Sequence, residues 1–168
     1  RLKTFDYSDV MYYDELMLVV IKGKEFNFES IADLKGKIIG VQTGASFGDA
    51  FEQAKNTVFN TEEDNGQVLR LKKLLKGRID VALIGPGKAG VNQVIKHDET
   101  LFRNKDKFVI LSKPFKRDPN FLGFSKDMKM KEFLKEFNRA LNKGHEDGTI
   151  QKIIEKYMKQ TSEKLLKK

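Results

Sequence analysis

An α/β fold with a largely parallel sheet is predicted by three features of this sequence. Apolar runs at Leu16–Ile21, Ile38–Val41, Ile79–Ile84 and Phe108–Leu111 alternate with stretches whose apolar residues recur at helical spacing, the order expected of strand–helix–strand units. The runs are near-continuous and rich in β-branched residues, as in strands covered on both faces. Glycines at 23, 36, 77 and 144 punctuate the joins, where chain reversals need them.

Each element has its own local reason. Leu16–Ile21 reads as a buried strand ended by Gly23. Ser30 caps a short turn through Ile31 and Leu34, closed by Gly36. Ile38, Ile39 and Val41 form the next strand. The small-residue stretch Gly44-Ala45-Ser46 follows it, and Ser46 stands three residues before Asp49, a capping-box spacing that predicts a helix from Phe47. That helix, 47–55, is expected to bury Phe47, Ala50, Phe51 and Ala54. A helix start directly after a strand presents free N–H groups and a positive dipole end, a place for a carboxylate or other small anion. Most such loops bind nothing, so the loop alone leaves both readings open.

Val58 and Phe59 read as a brief strand, and Asp64 or Asn65 as the start of a helix with Val68, Leu71, Leu74 and Leu75 on its apolar stripe and Gly77 as its stop. Ile79–Ile84 is a strand, followed by a short helix carrying Val91, Val94 and Ile95. Phe108–Leu111 is another strand, broken by Lys113-Pro114, and Phe121–Phe124 is an extended return. Met130, Phe133, Leu134, Phe137 and Leu141 mark a helix ending at Gly144, and Thr149 caps a last helix with Ile150, Ile153, Ile154 and Tyr157 on one face.

Composition narrows the function classes. At 39% hydrophobic and 33% charged over 168 residues, the chain can bury a core of one domain or two small lobes. No apolar run approaches the ~20 residues that cross a bilayer, and the opening Arg1-Leu-Lys-Thr-Phe has no hydrophobic segment, as expected of a cytosolic chain or of one whose targeting segment has been removed. The absence of cysteine excludes disulfides and thiol metal sites. His97 and His145 lie far apart without ligand spacing, so no metal is expected. The net charge of +8 comes from lysines spread along the whole chain. It reads as a solvated surface, because nucleic-acid binding calls for clustered basic residues with interleaved aromatics.

Gly85, Gly87 and Gly90 match G-x-G-x-x-G after a strand and before a helix, the dinucleotide-binding context. The acid expected ~20 residues on, at the end of the next strand, is missing: Asp106 precedes strand 108–111, and Ser112 and Lys113 follow it. Close packing or contact with another ligand therefore competes with a nucleotide site. No nucleophile–base constellation is present. His145 falls in Gly-His-Glu-Asp-Gly, a turn between helices.

Several segments, in order, resemble the type 2 periplasmic binding proteins, in particular the polar amino-acid-binding family of ABC transporters. Arg1-x-Lys3-x-x-Asp6-Tyr7-Ser8 resembles that family's R-x-K-x-V-D-F-S segment. Asp33-Leu-Lys-Gly-Lys-Ile-Ile-Gly-Val-Gln-Thr-Gly44 resembles its D-L-K-G-K-x-V-G-V-x-x-G opening of the second lobe. Leu75-Lys-Gly-Arg-Ile-Asp80-Val-Ala resembles L-x-x-G-R-x-D-A, and Asp147-Gly-Thr-Ile-Gln-Lys-Ile-Ile-Glu-Lys-Tyr157 resembles D-G-T-x-x-K-I-x-x-K-(Y/W).

The resemblance implies two α/β lobes joined by hinge strands, with ligand held in the cleft. Residues 24–112 would be lobe two. Residues 1–23 and 113–168 would be the remainder of lobe one with hinge and C-terminal helices, and the first part of lobe one would be missing. It implies no enzyme and no cofactor, but a periplasmic or cell-surface, monomeric binding domain for a small carboxylate-bearing ligand, partnered by an ABC permease. The alternatives are a sensor domain covalently linked to a membrane signalling protein and a cyclohexadienyl-dehydratase-like enzyme. Arg1 matches the arginine that holds the ligand carboxylate, a task suited to a two-pronged donor. Ser46, with Gly44 and Ala45, matches the second-lobe loop that takes the same carboxylate. One position departs: where the family has an acid for the ligand's amino group, this sequence has Gly85, with Lys88 nearby. An organic acid therefore stands beside an amino acid as the expected ligand.

Overall fold

The computed structural model describes residues 4–164, and Arg1 lies outside them. The strands are β1 (Phe5–Tyr7), β2 (Tyr12–Ile21), β3 (Ile38–Gln42), β4 (Asn60–Asp64), β5 (Val81–Ile84), β6 (Phe108–Ile110), β7 (Lys116–Asn120) and β8 (Gly123–Ser125). The helices are α1 (Asp49–Ala54), α2 (Gln67–Leu75), α3 (Gly87–His97), α4 (Glu99–Arg103), α5 (Lys131–Glu146) and α6 (Thr149–Lys164). Two compact units result: a central unit, Asp14–Arg117, and a terminal unit from the described parts of Arg1–Tyr13 and Asp118–Lys168. β2 and β7 both run through the boundary. Within the central unit the Phe115 amide donates to Leu16 O, and within the terminal unit that of Met11 donates to Asn120 O, each at 2.8 Å.

The central unit is the mixed α/β, mostly parallel fold that the alternation predicts. Its sheet has the order β4-β3-β5-β2-β6. β3 is parallel to β4 and β5, while β2 is antiparallel to β5 and β6. The apolar runs have to feed two cores because helices cover both faces. Leu18, Val20, Val81 and Leu83 face one cluster with Phe51 and Phe59; Met17, Val19, Ala82 and Ile84 face the other with Leu71, Leu74 and Val91. Burying each such side chain contributes roughly 1.5–3 kcal/mol, so β2, fully buried from Met17 to Val20, is held from both sides.

Several boundaries differ from the sequence reading. The helix expected from Phe47 begins at Asp49, and its N-cap is Gly48 with φ +97°, not Ser46. That positive φ is a conformation glycine adopts readily, and it ends the loop two residues late. Phe51 and Ala54 are buried as expected, but Ala50 is exposed. The strand placed at Val58–Phe59 is β4, Asn60–Asp64. Its polar sequence hid it, because an edge strand paired only with β3 needs little apolar surface. Asp64 therefore ends a strand and does not start α2, whose N-cap is Gly66. On α2, Val68 is exposed while Arg70 is buried beside Leu71 and Leu74.

A capping arrangement forms instead at Ser30, as expected: the Asp33 carboxylate accepts from the Ser30 amide at 2.7 Å and the Glu29 amide at 2.8 Å. The Ser30 and then the Glu29 amide hold the Asp33 carboxyl below its ordinary range.

In the terminal unit β1 pairs antiparallel with β8, and α5 contacts α6. α5 does not stop at Gly144 but runs to Glu146. Gly144 is buried, and a Cβ there would stand 3.0 Å from Ile150 Cγ1, so this glycine serves helix packing. His145 sits in the last turn of α5, its Nε2 3.1 Å from Val10 O.

Gly40 makes a sharper demand. A Cβ on it would lie 2.4 Å from Ile79 Cδ1 and 2.9 Å from Arg70 Cγ. Gly40→Ala is expected to cost about 1–3 kcal/mol through overpacking, read as a lowered urea midpoint by circular dichroism; an unchanged midpoint would mean that both neighbours yield freely.

Candidate functional site

The candidate residues of the central unit gather at one edge of its sheet. β3 and β5 are parallel neighbours, with Ile39 opposite Val81 and Gly40 opposite Ala82. The loop after β3 and the turn after β5 therefore leave from the same C-terminal edge, where open α/β sheets bind ligands. Gly44, Ala45 and Ser46 lie in the first, all exposed, with Gly44 at φ +71°. Gly85 follows β5 directly, and Lys88 is exposed in the first turn of α3. Arg1 lies outside the described residues.

The loop is pinned at its base and open at its tip. The Thr43 amide donates to Asp64 O at 2.9 Å and the Ala45 amide to Gln42 O at 3.1 Å. Among the described residues nothing accepts from the amides of Gly44, Ser46 or Phe47. Unspent backbone donors with a serine hydroxyl suit a carboxylate. α1 is too short, and starts too late, for the helix-end contribution expected at Ser46.

The Gly85–Gly90 turn is explained by packing. A Cβ on Gly90 would stand 2.9 Å from Pro86 Cδ and 3.2 Å from Gly85 C, and Gly87 has φ +60°. Gly85 is different: a Cβ there meets Glu15 O and Leu16 Cδ1 at 3.6 Å, ordinary contact, so a side chain fits. A hollow of about 450 Å³ lies between α2 and α3, lined by Gln67, Gly85, Pro86, Val94 and His97 among others. Another, of about 300 Å³, is lined in part by Phe47, Phe51, Phe115 and Lys113. Among the described residues no group of three or more His, Cys, Asp or Glu is placed to hold a metal, and no helix is long and apolar enough to cross a membrane.

Sequence reasoning missed the polar network beneath the loop. Arg70 and Asp64 are buried, at 3% and 5% exposure. Arg70 Nη2 donates to Asp64 Oδ1 at 2.9 Å and Nε to Oδ2 at 3.3 Å. Nη1 donates to Leu83 O at 2.6 Å, and Nη2 also reaches Gln42 Oε1 at 3.2 Å. Lys73 Nζ lies 3.9 Å from Asp64 Oδ2 and 2.8 Å from Glu62. One signal was available: Arg70 shares the helical stripe of Leu71 and Leu74, an odd place for a charge unless it is paired.

Comparison with known proteins identifies the family. A family model for bacterial extracellular solute-binding proteins, family 3, matches residues 1–160. The arginine-binding extracellular protein ArtP of Bacillus subtilis (strain 168) is 30% identical over 161 residues, covering 94% of this chain and 58% of the relative. The L-cystine-binding protein TcyJ of Escherichia coli (strain K12) is 27% identical over 157 residues, covering 94% and 55%. An ancestral arginine-binding protein bound to arginine superposes with a TM-score of 0.59 at 28% identity, covering 93% of this chain and 65% of that one. The chain spans little more than half the length of the two curated relatives.

Proposed function

Because the chain belongs to the bacterial extracellular solute-binding proteins, family 3, we propose that it captures a small carboxylate-bearing solute outside the cytoplasm for an ABC permease. It does so as a binding protein and not as an enzyme. One observation carries the reading: the exposed 44–46 loop, with unspent amides at Gly44 and Ser46, leaves the same sheet edge as Gly85. The names of the relatives, arginine-binding and L-cystine-binding, favour an amino acid. Gly85 offers no carboxylate to a ligand ammonium, which keeps organic acids in the same class. Ser46 and the loop amides take the carboxylate, and the resemblance assigns the same carboxylate to Arg1. A sensor domain would use the same capture step.

The test is a thermal-shift and calorimetric screen of the natural protein against amino acids and small organic acids. Ligand at ten times Kd stabilises by about 1.4 kcal/mol. Ser46→Ala is expected to weaken any hit by roughly 10- to 100-fold, the worth of one hydrogen bond to a charged group, and Arg1→Ala by at least as much. Hits indifferent to both substitutions, or no hit at all, would sink the proposal.

A further inference from the structure

We infer that Arg70 is a positioning residue of the candidate site, fixing the strand ends from which the 43–46 loop and Gly85 emerge; this rests on the solute-binding reading above. Its guanidinium reaches the Gln42 side chain at the end of β3, the Asp64 carboxylate at the end of β4 and the Leu83 carbonyl near the end of β5. These are three adjacent strands, β4-β3-β5, at their common C-terminal edge. Three residues earlier on α2, Gln67 Nε2 donates to Gly85 O at 2.9 Å. One helix thus holds the base of both candidate loops.

The chemistry requires an arginine. Only a planar fork with several fixed donors can serve three acceptors diverging from one point. By donating to Gln42 Oε1 it also sets that amide, leaving Gln42 Nε2 as the donor beside the loop. The sequence of β3 is fitted to this side chain, because Gly40 leaves the space that the Arg70 stem fills. Stability alone does not explain the pair. Buried ion pairs can often be exchanged for apolar residues of similar volume with no loss, whereas such an exchange here would free Gln42 and Leu83 O at the site's edge.

The experiment is the double variant Arg70→Met/Asp64→Leu in the natural protein, with Arg70→Lys beside it. Two readouts are followed: hydrogen exchange of the Thr43 and Ala45 amides without ligand, and affinity for L-arginine, L-cystine and succinate. Expected is at least tenfold faster exchange at Thr43 and Ala45 with exchange at Val19, in the buried part of β2, unchanged, and at least tenfold weaker binding of whichever probe the parent protein binds. Arg70→Lys, which keeps the charge but not the fork, is expected to give the same local pattern. If the double variant does not fold, Arg70→Lys decides alone. Parent-like exchange and affinity, or exchange raised uniformly through the sheet, overturns the inference. If no probe binds the parent protein, the solute-binding reading fails, and the exchange measurement still decides the role of Arg70.

Discussion

Asp64→Ala is expected to be among the most damaging single changes in the central unit, lowering its stability by about 3–5 kcal/mol because it strands a buried guanidinium without its counter-charge. Asp64 is buried, accepts from Arg70 Nε and Nη2, and accepts the Gly66 amide at 3.2 Å. The substitution removes all three acceptor contacts and leaves Arg70 in place. Lys73, 3.9 Å away, then adds repulsion where it had added attraction. Urea unfolding followed by circular dichroism measures the loss. The same measurement on Asp64→Leu/Arg70→Met should recover most of it, as for other buried ion pairs exchanged for apolar residues of similar volume. A single variant as stable as the parent would mean that the pair is not desolvated as its burial indicates.

Gly85→Asp is expected to raise affinity for an α-amino acid by about 10- to 100-fold, the worth of one charge-assisted hydrogen bond of roughly 1.5–3 kcal/mol. The fold has room, since the nearest atoms to a Cβ at Gly85 are at 3.6 Å. The position follows β5 at the edge where the 44–46 loop emerges, so a new carboxylate would stand beside the proposed carboxylate site. Calorimetry with L-arginine and L-glutamine, and with succinate as the partner lacking an amino group, separates the outcomes. Gain for the amino acids with loss for succinate supports the assignment. Equal change for all three would place the ligand elsewhere.

Elements whose cause is local were readable in the sequence. Met17–Val20 and Val81–Ile84 announce buried strands by composition alone, and Ser30–Asp33 announces its own turn. Elements whose cause is tertiary were not. Asn60–Asp64 has the composition of a loop and becomes a strand because β3 offers an open edge. Ser46 has the spacing of a cap, but Gly48 adopts the turn that starts the helix. Gly144 looks like a stop and is a contact point for Ile150. The placement of the 44–46 loop and Gly85 at neighbouring strand ends was legible because they follow recognisable strands. The Asp64–Arg70 pair was not, since its partners, Gln42 and Leu83, are brought together only by the order of strands in the sheet.

The seat of β2 governs how this chain can be assembled. Val19 stands opposite both Ala82 on β5 and Ile110 on β6, so the most apolar strand comes first among those of the central sheet and acquires its neighbours late. Until Ile110 is in place, Met17–Val20 has no complete seat in the sheet. Pairings this distant in sequence slow folding, and an unpaired strand is a target for association with other chains meanwhile.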